Sequence, residues 1–327
     1  MTKKILVWLL VTFFLANVSF AQAQQPGKIP RIGFLSPTSP SAISARVEAF
    51  RQGLRELGYV EGKTIVIESR HVVGKLDQLS ELAAELVRLK VDVIVTTGPT
   101  STRAAKEATS TIPIVMAWDN DPVANGIVAS LARPGGNITG LSTLAPEISG
   151  KQLELLKEIV PRLSHVAVLR TSTGSGRQAT VKEMELAAGA LKLQLQYLDV
   201  LGPKDIEIAF REAHNGRAGA VLVLASPILD SHRTQVVDLA VKNRLPAIYW
   251  TAEWVEAGGL MTYGASITDS FRRAATYVDK ILKGRTPADL PVEQPMKFEF
   301  VINLIAAKQI GLTIPPNVLV RATKVIR

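Results

Sequence analysis

Along most of this chain, short apolar runs alternate with longer stretches in which apolar residues recur at helical spacing. The first half predicts strands at 31–35, 64–68, 91–96 and 112–117, with helices at 44–57, 76–90 and 101–108 between them. The second helix carries Leu76, Leu79, Leu82, Ala83, Leu86 and Leu89 on one face. Strand–helix alternation of this kind predicts a parallel sheet covered by helices on both faces.

After Pro134-Gly135-Gly136 the pattern begins again. Helices are expected at 152–159 and 181–191, and strands at 165–169, 194–200, 220–224 and 247–250. The segments "KVDVIVTTGPT" and "RAGAVLVLASP" occupy equivalent places in the two halves, as do "TIPIVMAW" and "RLPAIYW". The pattern therefore predicts two similar α/β lobes with parallel sheets. A helix at 267–283 follows, then a strand at 297–302 and a short helix capped by Asn303. This tail is expected to return to the first lobe. The expected division is 30–140 plus 296–327 for the first lobe and 141–265 for the second, with 266–295 as a helix and return connection. Crossings near 137–142 and Tyr263, plus the tail, make three connections, a hinge that bends without releasing either lobe.

The first residues are of another kind. Lys3 and Lys4 precede an apolar run from 5 to 15, and Ala21-Gln22-Ala23 supplies small residues at a cleavage point. This is the pattern of a secretory signal at 1–23, too short in its apolar core for a spanning helix of about 20 residues. The expectation is a periplasmic, soluble protein. Cysteine is absent, which excludes disulfides, thiol catalysis and a lipid-anchored mature N-terminus. Formal charge is +9; without Lys3 and Lys4, 36 basic residues face 29 acidic ones, a net +7. The basic residues are scattered singly, so no nucleic-acid partner is expected, and the chain is read as a monomer.

Ligands of open parallel sheets bind beyond the carboxyl ends of the strands. Here those ends carry Ser36, the cluster Thr97-Gly98-Pro99-Thr100-Ser101 and Trp118-Asp119-Asn120-Asp121. The second half carries Ser226, Tyr249-Trp250 and Tyr263. A strand–loop–helix junction at Thr97–Ser101 aims free N–H groups and a helix dipole at one point, which suits a carboxylate. Asp121 is the candidate partner of an α-ammonium, and Tyr249 and Tyr263 the candidate packing surface for a side chain. Each feature has a plainer alternative. The hydroxyl cluster serves equally as a helix cap. Asp119 and Asp121 suit a turn before Pro122. The tyrosines and Trp118 and Trp250 suit a lobe interface.

Signals for catalysis are missing. The chain has no G-x-S-x-G, H-E-x-x-H or Walker A pattern, and its four histidines never fall at metal-ligand spacing. "GSGRQA" at 174–179 matches a dinucleotide fingerprint in letters, but four residues separate it from its strand where that fold needs a tight turn. No cofactor, metal or catalytic residue is expected.

The stretches "RIGFLSP", "FRQGLRELGYVEGKTIVIE", "DPVANGIVASLARPGGNITGLS" and "AGGLMTYG" resemble the solute-binding proteins of an ABC transporter family. So does "YVDKILKGRTPADLPVEQPMKFEFVINLIAAKQIGLTIPP" near the end. That family includes binders of tryptophan and related aromatic amino acids. The resemblance implies a type I periplasmic binding protein fold, two Rossmann-like lobes with three interlobe crossovers, and with it a small-molecule ligand and a membrane permease as partner. By position it implies a cleft lined by Ser36, Thr97, Gly98, Ser101 and Asp121, faced by Ser226, Tyr249 and Tyr263. At 170–176 the chain carries "RTSTGSG" where family members often have an Asn-Pro-rich loop, so ligand identity stays open. Three other readings also stay open. They are a sensor protein read by a receptor, an exported nucleotide-dependent enzyme, and a sugar-responsive repressor, whose helix-turn-helix place is taken here by the leader.

Overall fold

The computed structural model describes residues 28–72, 75–172 and 178–327. The expected leader at 1–23, most of the fingerprint-like 174–179 and much of the 170–176 loop lie outside them.

Two sheets form, one per lobe. The first has the order β2-β1-β3-β4-β5, from β1 (Arg31–Ser36), β2 (Val66–His71), β3 (Val93–Thr97), β4 (Ile114–Asp119) and β5 (Ile138–Ser142). All its pairings are parallel. Every residue of β3 and β4 is buried, which explains their continuous apolar runs: helices cover both faces, so neither face alternates. The helices Ser44–Glu56 and Ile267–Leu282 close one face around Phe34, Phe50 and Phe271. The helices Leu79–Arg88 and Pro99–Ala108 close the other around Leu35, Leu86 and Met116.

The second sheet runs β12-β11-β10-β9-β8-β6-β7. Its strands are β6 (His165–Arg170), β7 (Gln194–Asp199), β8 (Ala220–Val223), β9 (Ala247–Tyr249), β10 (Met261–Ala265), β11 (Phe298–Asn303) and β12 (Lys324–Ile326). Leu153, Leu156 and Met184 pack on one face, and Phe210, Val236 and Trp254 on the other.

The tail divides between the lobes, and its last segment, expected at 296–327 in the first lobe, lies in the second. The helix Ile267–Leu282 belongs to the first lobe, where its apolar stripe lies against Ser44–Glu56. The approach is close because Gly53 has no side chain; a Cβ there would sit 2.4 Å from the Arg272 carbonyl oxygen. Residue Glu293 then bonds to the edge of β5, its N–H donating to Gly140 O at 3.0 Å. The last segment goes the other way. β11 pairs antiparallel with β10 and parallel with β12, so 298–326 completes the second lobe. The alternating "FEFVIN" identifies a strand but carries no information about which edge accepts it. Asn303 caps the helix Leu304–Gln309 as expected, its Oδ1 accepting from the N–H of Ile305 at 2.9 Å and of Ala306 at 3.1 Å.

The chain crosses between lobes after Ser142, after Ala265, and between Glu293 and Phe298. β5, read from sequence only as a crossing, is a full strand. Gly140 in its middle has φ +138°, with the space of a side chain taken by the Met116 backbone. Among the described residues no helix is long and apolar enough to cross a membrane.

Candidate interlobe binding site

The carboxyl ends of the two sheets face each other across a cleft. Among the described residues, two cavities within it meet at Asn120 and Ala225. They enclose about 560 and 540 Å³ of empty space, counting the part open to solvent. The first is largely apolar, with Ile148, Leu224, Trp250, Ala265 and Ile267 in its wall and Gln152 and Thr143 as polar members. Among the described residues, none that lines it is charged. The second is polar: Thr38, Thr97, Thr100 and Ser226 bring hydroxyls, and Arg46 and Asp230 bring charge.

Arg46 governs the electrostatics. It stands on the helix Ser44–Glu56 of the first lobe with a side chain only 2 % exposed, and its partners belong to the second lobe. Its Nε donates to Glu253 Oε1 at 2.8 Å, its Nη1 lies 3.7 Å from Asp230 Oδ2, and its guanidinium lies 4.8 Å from the centre of the Trp250 ring. Burial works against its charge, but Glu253 and Asp230 outweigh burial and raise its pKa. Burial likewise pushes the Glu253 carboxyl up, yet the Arg46 charge and hydrogen bond hold it down at about 2. Asp230 is raised by burial, against the pull of Arg46 and Arg233. Its Oδ1 accepts from Trp250 Nε1 at 2.9 Å and Trp254 Nε1 at 3.2 Å.

The aromatic contact across the cleft joins Trp118, at the end of β4, to Trp250, just past β9. Their ring centres are 5.1 Å apart with planes tilted by 38°. Gly98 makes room for this: its φ is +93°, and a Cβ there would lie 2.7 Å from Trp118 Cζ2.

A family model for ABC transporter substrate binding proteins matches residues 31–326. The chain belongs to that family. The family is one of solute-binding proteins, not enzymes, and the two parallel-sheet lobes have the type I periplasmic binding protein fold. A conserved domain protein from Vibrio cholerae is 28% identical, with a TM-score of 0.86, over 91% of this chain and 100% of that one. An ABC domain from Streptococcus pneumonia, solved in complex with L-Trp, is 26% identical, with a TM-score of 0.84, over 91% and 99%. A tyrosine-binding protein of Clostridioides difficile (strain R20291) is 25% identical over 276 residues, 84% of this chain and 79% of that one.

Within this ABC substrate-binding chain, the residues singled out from sequence have several fates. Thr97, Gly98 and Ser226 line the polar cavity. Ser36 and Ser101 do not line it, because their hydroxyls are engaged within the first lobe. Ser36 Oγ accepts from the Thr38 N–H at 3.2 Å, and Ser101 Oγ donates to Gly98 O at 3.0 Å while accepting from the Thr97 N–H at 2.9 Å. The hydroxyl cluster therefore divides, with Ser101 bracing the junction and Thr97 and Thr100 facing the cavity.

Asp121 is not among the residues that line either cavity, although the adjacent Asn120 lines both. Its Oδ1 accepts from the Ala124 N–H at 3.0 Å and closes the turn before Asn125, the plainer of its two sequence readings. The neighbouring Asp119 is fully buried, with Oδ1 accepting from Asn125 Nδ2 at 2.7 Å and from the Asp121 N–H at 3.2 Å. Its Oδ2 has no hydrogen-bond partner among the described residues, and burial lifts its carboxyl to about 7.

Both tyrosines are placed outside the cavity walls. Tyr249 stacks on Trp254 at 5.0 Å inside the second lobe, and Tyr263 packs against Phe298 and Phe300. Strand alternation explains this, since Tyr249 and Trp250 are consecutive and point to opposite sides. The aromatic wall is thus Trp118 and Trp250.

Sequence reasoning passed over Arg46, Asp230 and Glu253. A signal for the first was present: Arg46 shares a helix face with Ile43, Phe50 and Leu54, all buried. A cation on an apolar stripe requires a partner from elsewhere in the fold.

Proposed function

We propose that this chain captures a small amphipathic molecule, an amino acid with an aromatic or apolar side chain, for import by an ABC transporter. In this reading the leader at 1–23 is cleaved, the mature chain works as a periplasmic monomer, and a membrane permease receives the closed, loaded form. The observation that carries the proposal is the pairing of an apolar cavity with a polar one at Asn120, inside the cleft. A side chain would occupy the first beside Trp250 and Ile148. The polar head would occupy the second beside Thr97, Thr100 and the amino end of the helix Pro99–Ala108, where unbonded N–H groups favour an anion.

The relatives whose names or bound molecules are tyrosine and L-Trp support the same class. Capture would work by differential contact. A ligand held first by one lobe gains the contacts of the other on closure, and that gain shifts the hinge equilibrium. Micromolar affinity amounts to about 8 kcal/mol, within reach of a few charge-assisted hydrogen bonds and one packed ring.

Titration calorimetry of the mature protein with L-tryptophan, L-tyrosine, L-phenylalanine and L-leucine, with ribose and myo-inositol alongside, tests the proposal. Binding of one or more of the amino acids at micromolar or tighter affinity is expected. Binding of a sugar or inositol with no amino acid response would overturn it.

A further inference from the structure

Two side chains in the polar cavity hold donors that nothing accepts. Arg46 Nη2 and Trp118 Nε1 are both buried and both lack a hydrogen-bond partner among the described residues. Arg46 is 2 % exposed and Trp118 8 %, and both line the same cavity. Both also lie against Trp250, the guanidinium 4.8 Å and the Trp118 ring 5.1 Å from the centre of its ring. Buried N–H donors without acceptors cost free energy, more so for a charged group, so a cavity lined by two such residues is shaped for an acceptor that arrives from outside.

Acids are scarce in the cavity walls by comparison. Asp230 is the one carboxylate among the described lining residues, and it already has partners: Oδ1 accepts from the indoles of Trp250 and Trp254, and Oδ2 lies 3.7 Å from Arg46 Nη1. Asp119 and Asp121 line neither cavity. An incoming ammonium therefore meets neutral acceptors, such as Asn120 and the threonine hydroxyls, and one carboxylate already facing Arg46 and two indoles, whereas an incoming carboxylate meets a guanidinium, an indole N–H and a helix amino end.

We infer that Arg46 and Trp118 receive the ligand's carboxylate, and that the α-ammonium is dispensable. The ligand class is then small carboxylates with an apolar or aromatic body, of which amino acids are one subset. This rests on the reading of the cleft given above and adds to it the residues that read the head group. Arg46 also braces the lobes through Glu253, so carboxylate capture and closure draw on the same side chain.

Calorimetry with three probes of one shape tests the inference: L-tryptophan, indole-3-propionate without the ammonium, and tryptamine without the carboxylate. The unmodified mature protein should bind indole-3-propionate within about tenfold of L-tryptophan, and tryptamine at least about a hundredfold more weakly, as the loss of charge-assisted bonds implies. Trp118→Phe keeps the ring and its contact with Trp250 but removes the N–H. It should weaken both acids about fivefold to tenfold, one hydrogen bond to a charged group. Arg46→Gln should weaken them further, and circular dichroism checks that this variant is folded. The inference is overturned if tryptamine binds as well as L-tryptophan, if indole-3-propionate is more than about a hundredfold weaker, or if Trp118→Phe leaves both acids unchanged. When L-tryptophan itself binds, such results leave the amino-acid reading standing. Absence of binding by all three probes removes the inference and the aromatic ligand class together.

Discussion

Arg46 Nε donates to Glu253 Oε1 at 2.8 Å across the cleft, joining a helix of the first lobe to a short helix of the second. Arg233 of the second lobe donates in turn to the Ala42 carbonyl oxygen of the first at 2.9 Å. Both contacts hold the lobes together at the rim of the polar cavity without help from a ligand. Glu253→Ala leaves the buried guanidinium without its nearest anion, a change that costs about 3–5 kcal/mol when a buried pair is broken. Opening of the hinge recovers part of that cost by returning Arg46 to water. Small-angle scattering of ligand-free protein should therefore give a larger radius of gyration for the variant than for the wild type. Equal radii would mean that the clasp does not set the lobe equilibrium.

The pH dependence of stability has two opposed contributions. Burial lifts Asp119 to about 7 from an ordinary 3.8, so its stabilising contribution is full below about 4 and is lost as pH rises toward 7. Arg46 holds Glu253 at about 2 against an ordinary 4.5, so its contribution is full above about 4.5 and is lost as pH falls toward 2. Denaturant unfolding should show a maximum on the acid side of neutrality. Asp119→Asn should flatten the decline between pH 4 and 7 while leaving the acid limb in place. An unchanged profile would contradict the assignment.

At Gly98 two constraints coincide, a φ of +93° and the Trp118 ring in the place of a side chain. Gly98→Ala should cost about 1–3 kcal/mol of stability, as strained left-handed positions do. Because Trp118 must also move, ligand affinity should fall with it. Thermal unfolding and calorimetry on the same preparation check both effects, and retention of both wild-type stability and affinity would rule out the constraint.

The Trp118–Trp250 contact makes closure visible. Trp254 is stacked on Tyr249 within one lobe, whereas the other pair spans the cleft. Tryptophan emission should shift on titration with an amino acid that binds, and Trp250→Phe should remove most of that change. A full response in Trp250→Phe would place its source elsewhere.

Much of the fold was legible because fully buried strands such as "VIVTT" and "IVMAWD" are apolar throughout and the helices between them keep their period. Lobe membership of the tail was not, since pairing of β11 with β10 is decided by an edge far away in sequence. The site divided along the same line. Thr97, Gly98 and Ser226 follow from the local rule that ligands bind at strand ends, and they line the cavity. Tyr249 and Asp121 fell to local competition: one faces the inside of its own lobe, and the other spends its carboxylate on a turn. Arg46 and Glu253, 207 residues apart in the chain, become neighbours only once the lobes meet.

The central claim is that a ligand is held in the interlobe cleft by both lobes at once. A co-crystal structure with the tightest-binding amino acid from the calorimetric series tests it most directly. The account predicts ligand density around Asn120, with the side chain beside Trp250 and the carboxylate within hydrogen-bond distance of Arg46 or Trp118. Density on the outer surface, or contacts confined to a single lobe in a closed molecule, would contradict it.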